Sequence, residues 1–382
     1  MRQFLPIFFQ VFFGIFFGPS VDGQELALEH YRVGKEIIFS TLYGQILQDE
    51  KGYIWFGTDQ GLHRYDGQAF VHFPIGPAVL DEEILYINFT DDGTLWGINL
   101  NRQVLQLSPD SDTFHLSPIH PSIELSGKEL THTIGQNLYF FGPRMGDKRA
   151  TCIDFHVDPE QMDRSSFRKV VFDSEVSEVH LRADGTEYLV RIALGKKFNL
   201  TKRKDGQEVS LLKFTSPRPI RVRPRLRYLE SSQLMALYTL YNTGAPLHLT
   251  ETKPPFNHYK IPLDQYDFEG INLLVEDSAQ NIWICTNNGF FGFDANRKPL
   301  LGGRQILAGH IINNLYQDIE GAYWIGTSKN GLYYIPNLGA QYFSSDNSDL
   351  LFDHITTLTK DKSGKLYGGT LPSYLFQFDK QG

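Results

Sequence analysis

Four arginines at alternate positions, Arg221, Arg223, Arg225 and Arg227 in "SPRPIRVRPRLRYLE", are the residues of this 382-residue chain best spaced for binding chemistry. In an extended strand, residues two apart share a face, so the four guanidinium groups would stand together. Such forks match carboxylates bidentately, which predicts an anion site, with an acidic polysaccharide as its ligand. The plainer alternative is a solvated outer or edge strand, protected from aggregation by its charge and prolines. His63 and Arg64 in "GLHRYD", and Lys329 and Asn330 later, fall where loops could line a binding face or simply form ordinary surface.

Catalytic chemistry is not signalled. The 12 histidines are scattered, and neither H-E-x-x-H, G-x-S-x-G nor a glycine-rich phosphate loop opening a helix occurs. No catalytic residue, metal site or cofactor is predicted, and the chain is not expected to be an enzyme. Asp49, Asp277, Asp318 and Asp361 recur at the same place in similar segments, and turn chemistry accounts for them better than acid–base or metal roles. Cys152 and Cys285 are the only cysteines. They could form one disulfide in an oxidising compartment, although a small buried thiol is the simpler state for each.

The elements that must hold these residues emerge from a repeat. "DEKGYIWFGTDQGLHRYDG" and "DIEGAYWIGTSKNGLYYI" share Asp, Gly, Trp and Thr at equal offsets. The Trp anchors are Trp55, Trp96, Trp283 and Trp324, with Tyr367 in the same position of "DKSGKLYGGTLPSYLFQFD". Trp55 to Trp96 and Trp283 to Trp324 each span 41 residues, and Tyr367 follows Trp324 by 43, the length of one four-stranded propeller blade. The 187 residues between Trp96 and Trp283 leave room for three degenerate copies. Tyr139 and Tyr188 mark two of these, and the third falls in "ESSQLMALYTLYNTG". Eight anchors result.

Each copy reads as alternating strands around a tight Asp-x-x-Gly turn, with Trp filling the space between blades and Thr satisfying a turn. Loss of Trp55 or Trp324 to Ala is expected to cost about 3–5 kcal/mol. Aromatic residues at 14% and frequent glycine agree with many short strands. The fold class predicted is all-β, a β-propeller of four-stranded blades, seven or eight in number. It covers residues 24–382, with clear repeats at 37–107 and 271–382 and degenerate ones at 108–270. "LALEHYRVG", residues 26–34, is expected to close the ring as the outer strand of the last blade.

Residues 1–23 read as a signal peptide: Arg2, then an apolar run from Phe4 to Phe17, then Val21 and Gly23 before a cleavage point at Gln24. The run is short for a span of about 20 residues, so cleavage is expected over retention as an anchor. Export to the periplasm or the extracytoplasmic face follows. A net charge of −8 gives no general attraction to nucleic acid, which is not expected as a partner.

The repeat core resembles the two-component regulator propeller repeat, D-x-x-G-x-x-W-x-G-T-x-x-G-L. The likeness covers about 37–75 and 271–382 well, 80–107 fairly, and the middle by spacing only. It implies an outward-facing sensor of a membrane histidine kinase or hybrid regulator. The partners implied are an extracellular ligand and a membrane signalling protein or C-terminal kinase, since this chain carries no kinase motif; a homodimer is also allowed. A ligand-sensing, non-catalytic propeller is therefore the leading expectation. The alternatives are a lyase or other enzyme on the same fold, acting on a glycan or cyclic substrate, and a protein-binding scaffold.

Overall fold

The computed structural model describes residues 25–378, except 33–34, 36, 38, 74–82, 90–92, 102, 108–113, 117–129, 135–136, 144–149, 157–165, 172–175, 183, 194–196, 216–223, 240–245, 340, 343–349, 364 and 372–373. The signal-peptide reading therefore lies outside the described residues. The chain divides into two compact units, Leu28–Ile335 and Pro336–Gly382, the latter joined by residues before Leu28.

Among the described residues, the larger unit forms seven antiparallel sheets in chain order. Sheet 1 runs Leu42–Gln48, Ile54–Thr58, Gly61–Tyr65 and Phe70–Phe73 from its inner to its outer strand. Sheet 2 follows with Ile84–Phe89, Leu95–Asn99, Val104–Leu107 and Phe114–Leu116. Sheets 3 and 4 begin at Leu130–Ile134 and Val176–Leu181 and end at Ser166–Val171 and Gln207–Thr215. Sheet 5 is Pro224–Leu229, Leu234–Thr239, Leu247–Glu251 and His258–Ile261. Sheet 6 has three strands, Ile271–Glu276, Ile282–Thr286 and Gly289–Phe293. Sheet 7 is Ile312–Gln317, Tyr323–Thr327 and Leu332–Ile335, completed by Glu29–Tyr31. Neighbouring sheets pack side by side, and the inner strand of sheet 7 packs back on that of sheet 1, so the row closes into a ring.

Closure differs from the expectation. Glu29–Tyr31 pairs with Leu332–Ile335, through Glu29 with Tyr334 and Tyr31 with Leu332, and not with the last repeat of the chain. Packing explains the choice: Tyr31 lies against Phe70 and Trp324, at 5.2 and 6.1 Å between ring centroids. That aromatic cluster exists only where sheet 7 meets sheet 1. The eighth anchor, Tyr367, belongs to the other unit, on the middle strand of a sheet formed by Ile355–Lys360, Leu366–Thr370 and Tyr374–Phe378. There Leu358 pairs in the same register as Leu274 and Leu315 do in the ring. Those two are buried, at 0% and 4% exposure, whereas Leu358 is 56% exposed.

Trp55, Trp283 and Trp324 each fill a gap between sheets. Trp55 packs with Phe73, Ile84 and Leu95 between sheets 1 and 2, and Trp324 with Phe56 and Leu42 between sheets 7 and 1. Trp283 is fully buried against Tyr323 of sheet 7. A buried indole removes roughly 200 Å² from water, on the order of 5 kcal/mol of transfer free energy. Trp96 is also buried. Tyr139 falls on the second strand of sheet 3, and Tyr188, 2% exposed, on that of sheet 4. In sheet 5 the strand register puts Met235, fully buried, where sheets 1, 2, 6 and 7 carry Trp.

The inner strands share a second feature that the residue pattern does not announce. A register shift at their start recurs in sheets 1, 2, 4, 6 and 7 and in the C-terminal sheet. Such a bulge leaves one residue unpaired and turns its side chain out of the ladder. At Asn272 and Asn313 the freed carboxamide donates to the next inner strand, to Ile312 O at 3.0 Å and Leu42 O at 2.9 Å. These bonds tie successive sheets at the ring's inner edge.

Candidate functional site

The motif residues form a repeated structural knot. Asp49 Oδ1 accepts from the Lys51 and Tyr53 amides at 3.0 and 2.9 Å, and its Oδ2 accepts Trp55 Nε1–H at 2.8 Å. Asp318 accepts Trp324 Nε1–H at 2.9 Å, and Asp277 accepts Trp283 Nε1–H at 2.9 Å. Asp277 also accepts Tyr323 Oη–H at 2.6 Å from the next sheet. Thr58, Thr286 and Thr327 each donate to a glycine carbonyl, of Gly61, Gly289 and Gly331, at 2.7–2.8 Å. The residue before Asp49, Asp277 and Asp318 makes a link that sequence reasoning missed. Gln48 accepts the Ile319 amide, Gln317 the Ser278 amide, and Glu276 the Ser231 and Ser232 amides, all at 2.8–2.9 Å. Each thereby caps the turn of the preceding sheet. The recurring polar residue ahead of the Asp was the available signal.

The residues expected to bind ligand are dispersed. Arg221 and Arg223 lie outside the described residues. Arg225 and Arg227 are half-buried on the inner strand of sheet 5, alternating with buried Leu226 and Tyr228. The segment is an edge strand of its sheet, as the plainer alternative has it, but the innermost edge and not the outer one, because it opens its sheet and Leu226 and Tyr228 pack towards sheet 4. Cys285, on the middle strand of sheet 6, is a free buried thiol. Burial pushes its pKa up, partly offset by the positive charge of Arg227. Cys152's side chain lies outside the described residues.

His63 and Arg64 do not sit on a loop face. Both are on the third strand of sheet 1, and His63 is 2% exposed, its Nδ1 3.2 Å from Thr58 Oγ1. Burial, then the charge of His72, pushes its pKa down to about 3, so it stays neutral. The Arg64 guanidinium lies 4.6, 5.3 and 5.4 Å from the ring centroids of Tyr53, Phe73 and Trp55. Both side chains pack on residues of sheet 1 or beside it, and for the buried His63 the expectation of a loop position lining a face is corrected. Lys329 and Asn330 form the turn of sheet 7, where the Lys329 amide donates to Thr41 Oγ1 at 3.2 Å.

A cleft of about 300 Å³ opens instead between sheets 5 and 6. Its walls are the first turn of each sheet, with Ser232, Gln233 and Gln280, and the loops carrying Lys253 and Arg297. Gln280 stands where the motif has glycine, as at Gly52 and Gly321, and adopts φ 63°. Gln233, in the shorter turn of sheet 5, and Arg297 have φ 54° and 67°. Left-handed backbone at a non-glycine residue costs on the order of 1–3 kcal/mol and gathers at functional sites. Arg297 reaches across from sheet 6 to sheet 5, its guanidinium carbon 3.4 Å from the Tyr259 ring centroid. Tyr259 Oη–H donates to Glu251 at 2.8 Å, and Asn257 Nδ2 donates to it at 3.1 and 3.2 Å. These bonds hold the Glu251 carboxyl below its usual range. Of the atoms of the cleft's lining residues, Ser232 Oγ and Arg297 Nε are buried without a hydrogen-bond partner. No group of three or more His, Cys, Asp or Glu among the described residues is placed to hold a metal ion.

Comparison with solved structures decides the architecture. The extracellular domain of the hybrid two-component system BT4673 from B. thetaiotaomicron superposes with a TM-score of 0.56 at 15% identity, over 94% of this chain and 48% of that one. The fold is a β-propeller. The extracellular domain of the hybrid two-component system BT3049 from the same organism matches the propeller with a TM-score of 0.56 at 13% identity, over 93% of this chain and 54% of that one. A catalytically inactive variant of virginiamycin B lyase from Staphylococcus aureus, with quinupristin, matches at 0.54 and 12% identity, over 81% of this chain and 99% of that one. The propeller chain thus spans about half the length of the two extracellular domains. No protein-family model and no curated protein matches the sequence. No helix among the described residues is long and apolar enough to cross a membrane.

Proposed function

We propose that this chain is the ligand-sensing β-propeller of an exported two-component sensor, acting by binding and not by chemistry. The observation that carries the reading is the match of 94% of the chain to the extracellular domain of a hybrid two-component system. The export-type leader and the repeat core support it independently. Signalling would then follow from ligand affinity that differs between two arrangements of the whole sensor. A kinase, in the same polypeptide or as a membrane partner, would read that difference.

The test has two arms. Fractionation of cells carrying the full chain should recover it outside the cytoplasm, cleaved before Gln24. The mature protein should then be titrated with a panel of oligosaccharides and small acids, each recovered and weighed by mass spectrometry. A shift in thermal midpoint with ligand returned intact is expected. Cleaved ligand would replace this reading with the lyase alternative, and a cytoplasmic, uncleaved chain would remove it. An acidic polysaccharide held by Arg225 and Arg227 is one proposed ligand; Arg225→Ala and Arg227→Ala should weaken its binding and leave the melt unchanged.

A protein-contact role has its own support. Leu358, Leu371 and Leu375, in and beside the C-terminal sheet, are 55–71% exposed, and exposed apolar groups of this kind mark interaction surfaces. Light scattering of the mature chain tests it: a homodimer that Leu358→Ser and Leu375→Ser dissociate is expected, and a monomer at all concentrations refutes it.

A further inference from the structure

The cleft between sheets 5 and 6 brings together several polar groups that the described residues leave uncommitted. Ser232 Oγ and Arg297 Nε are buried there without partners. Lys253 is exposed at its rim. Gln280 donates through Nε2 to Ser231 O at 3.1 Å, leaving its Oε1 as an acceptor. Glu251 is committed to the wall, since it accepts from Asn257 and Tyr259. The ionised Glu251 offsets one of the two positive charges, Lys253 and Arg297, so the lining keeps one net positive charge for a guest, accompanied by a hydroxyl and two carboxamides.

We infer that this cleft binds a small polyhydroxylated carboxylate. The carboxylate would pair with Lys253 and Arg297, whose guanidinium is already held in place by stacking on Tyr259, so that little freedom is lost on binding. The hydroxyls would exchange hydrogen bonds with Gln233, Gln280 and Ser232, because a carboxamide both donates and accepts, as a hydroxyl does. A volume of about 300 Å³ is at the lower end for ligand sites and fits one sugar-sized unit. The left-handed backbone at Gln233, Gln280 and Arg297 fits the same assignment: glycine would be easier in each turn but would carry no side chain to the guest. The inference takes up the ligand-binding part of the sensor reading and gives it a place.

Calorimetric titration of the mature chain with sodium glucuronate, sodium gluconate and glucose provides the test. Glucuronate supplies the ring form of the chemistry, gluconate the open-chain form, and glucose the hydroxyls without the charge. At least one acid should bind, with glucose weaker by about tenfold or more, the loss expected for one hydrogen bond to a charged group. Lys253→Ala and Gln233→Gly should each weaken the acid by a similar factor. Gln233→Gly should at the same time raise the thermal midpoint, since glycine adopts the left-handed turn without strain. Lys253→Ala should leave that midpoint unchanged. The preference between the two acids identifies the source, a sugar acid or an open-chain hydroxy acid. Equal binding by glucose, or no binding of either acid by the wild type, overturns the inference. Undiminished binding by both variants also overturns it, but leaves ligand sensing at another place intact.

Discussion

Asp277→Ala should be the most damaging single change to a motif aspartate. Its carboxylate is 3% exposed and accepts hydrogen bonds from the Ala279 and Asn281 amides, Asn281 Nδ2, Trp283 Nε1 and Tyr323 Oη, at 2.6–3.0 Å. The turn amides lie near solvent and can be rehydrated. The two aromatic donors cannot, because Trp283 and Tyr323 are 0% and 3% exposed. A buried donor left unpaired costs about 1–3 kcal/mol, so two orphans put the loss at about 4 kcal/mol. Asp318→Ala orphans only Trp324 Nε1 among aromatic donors and should cost about half as much. Urea unfolding followed by circular dichroism separates the two, provided the slope is unchanged. Tyr323→Phe supplies a second measurement: it should destabilise the wild type by about 1 kcal/mol and stabilise the Asp277→Ala background, because there it removes an orphaned buried hydroxyl. Equal losses for Asp277→Ala and Asp318→Ala, or an additive Tyr323→Phe, would refute the idea that this carboxylate joins sheets 6 and 7.

His248 is 7% exposed, and burial, then the charges of His258 and Lys260, lowers its pKa to about 4, below the unfolded value of about 6.5. Its full contribution therefore holds above pH about 6.5, and stability declines by about 1.4 kcal/mol per unit as pH falls towards 4, because only the unfolded chain takes up the proton. His248→Phe, which keeps the stack on Phe214, should flatten that decline; parallel curves would reject the assignment. Gly292→Ala would place a methyl 2.5 Å from Trp283 Cε3 and should cost about 1–3 kcal/mol by overpacking, read as a lowered urea midpoint. A chain beginning at Arg32 lacks the strand that pairs with Leu332–Ile335 and should unfold earlier and aggregate through the bared edge. An unchanged melt would show that ring closure does not need it.

The repeat was legible because its parts are local. A turn needs a carboxylate and a left-handed residue within four positions, and Asp49 with Gly52, or Asp318 with Gly321, supplies both in contiguous sequence. A Trp between two such turns must be buried somewhere, so the propeller class followed from spacing alone. The degenerate sheets were harder, since their anchors changed identity; Met235 fills a tryptophan's place and carries no pattern of its own. His63 was misplaced for a related reason. Its position after a Gly-Leu pair suggests a loop, but only the packing of Phe39 and His72 around it decides that it is buried.

Sequence alone determined the strand periodicity and the turn chemistry, because each depends on residues a few positions apart. Tertiary structure decided what depends on residues far apart in the chain. It chose Leu332–Ile335 as the partner of Glu29–Tyr31, about 300 residues away, through an aromatic cluster that exists only at that junction. It put Arg225 and Arg227 on an inner strand. It also brought Gln233, Lys253, Gln280 and Arg297, from four separate turns and loops, around one cleft. No local pattern could reveal that gathering, because each of the four looks like an ordinary turn residue until two sheets are set side by side.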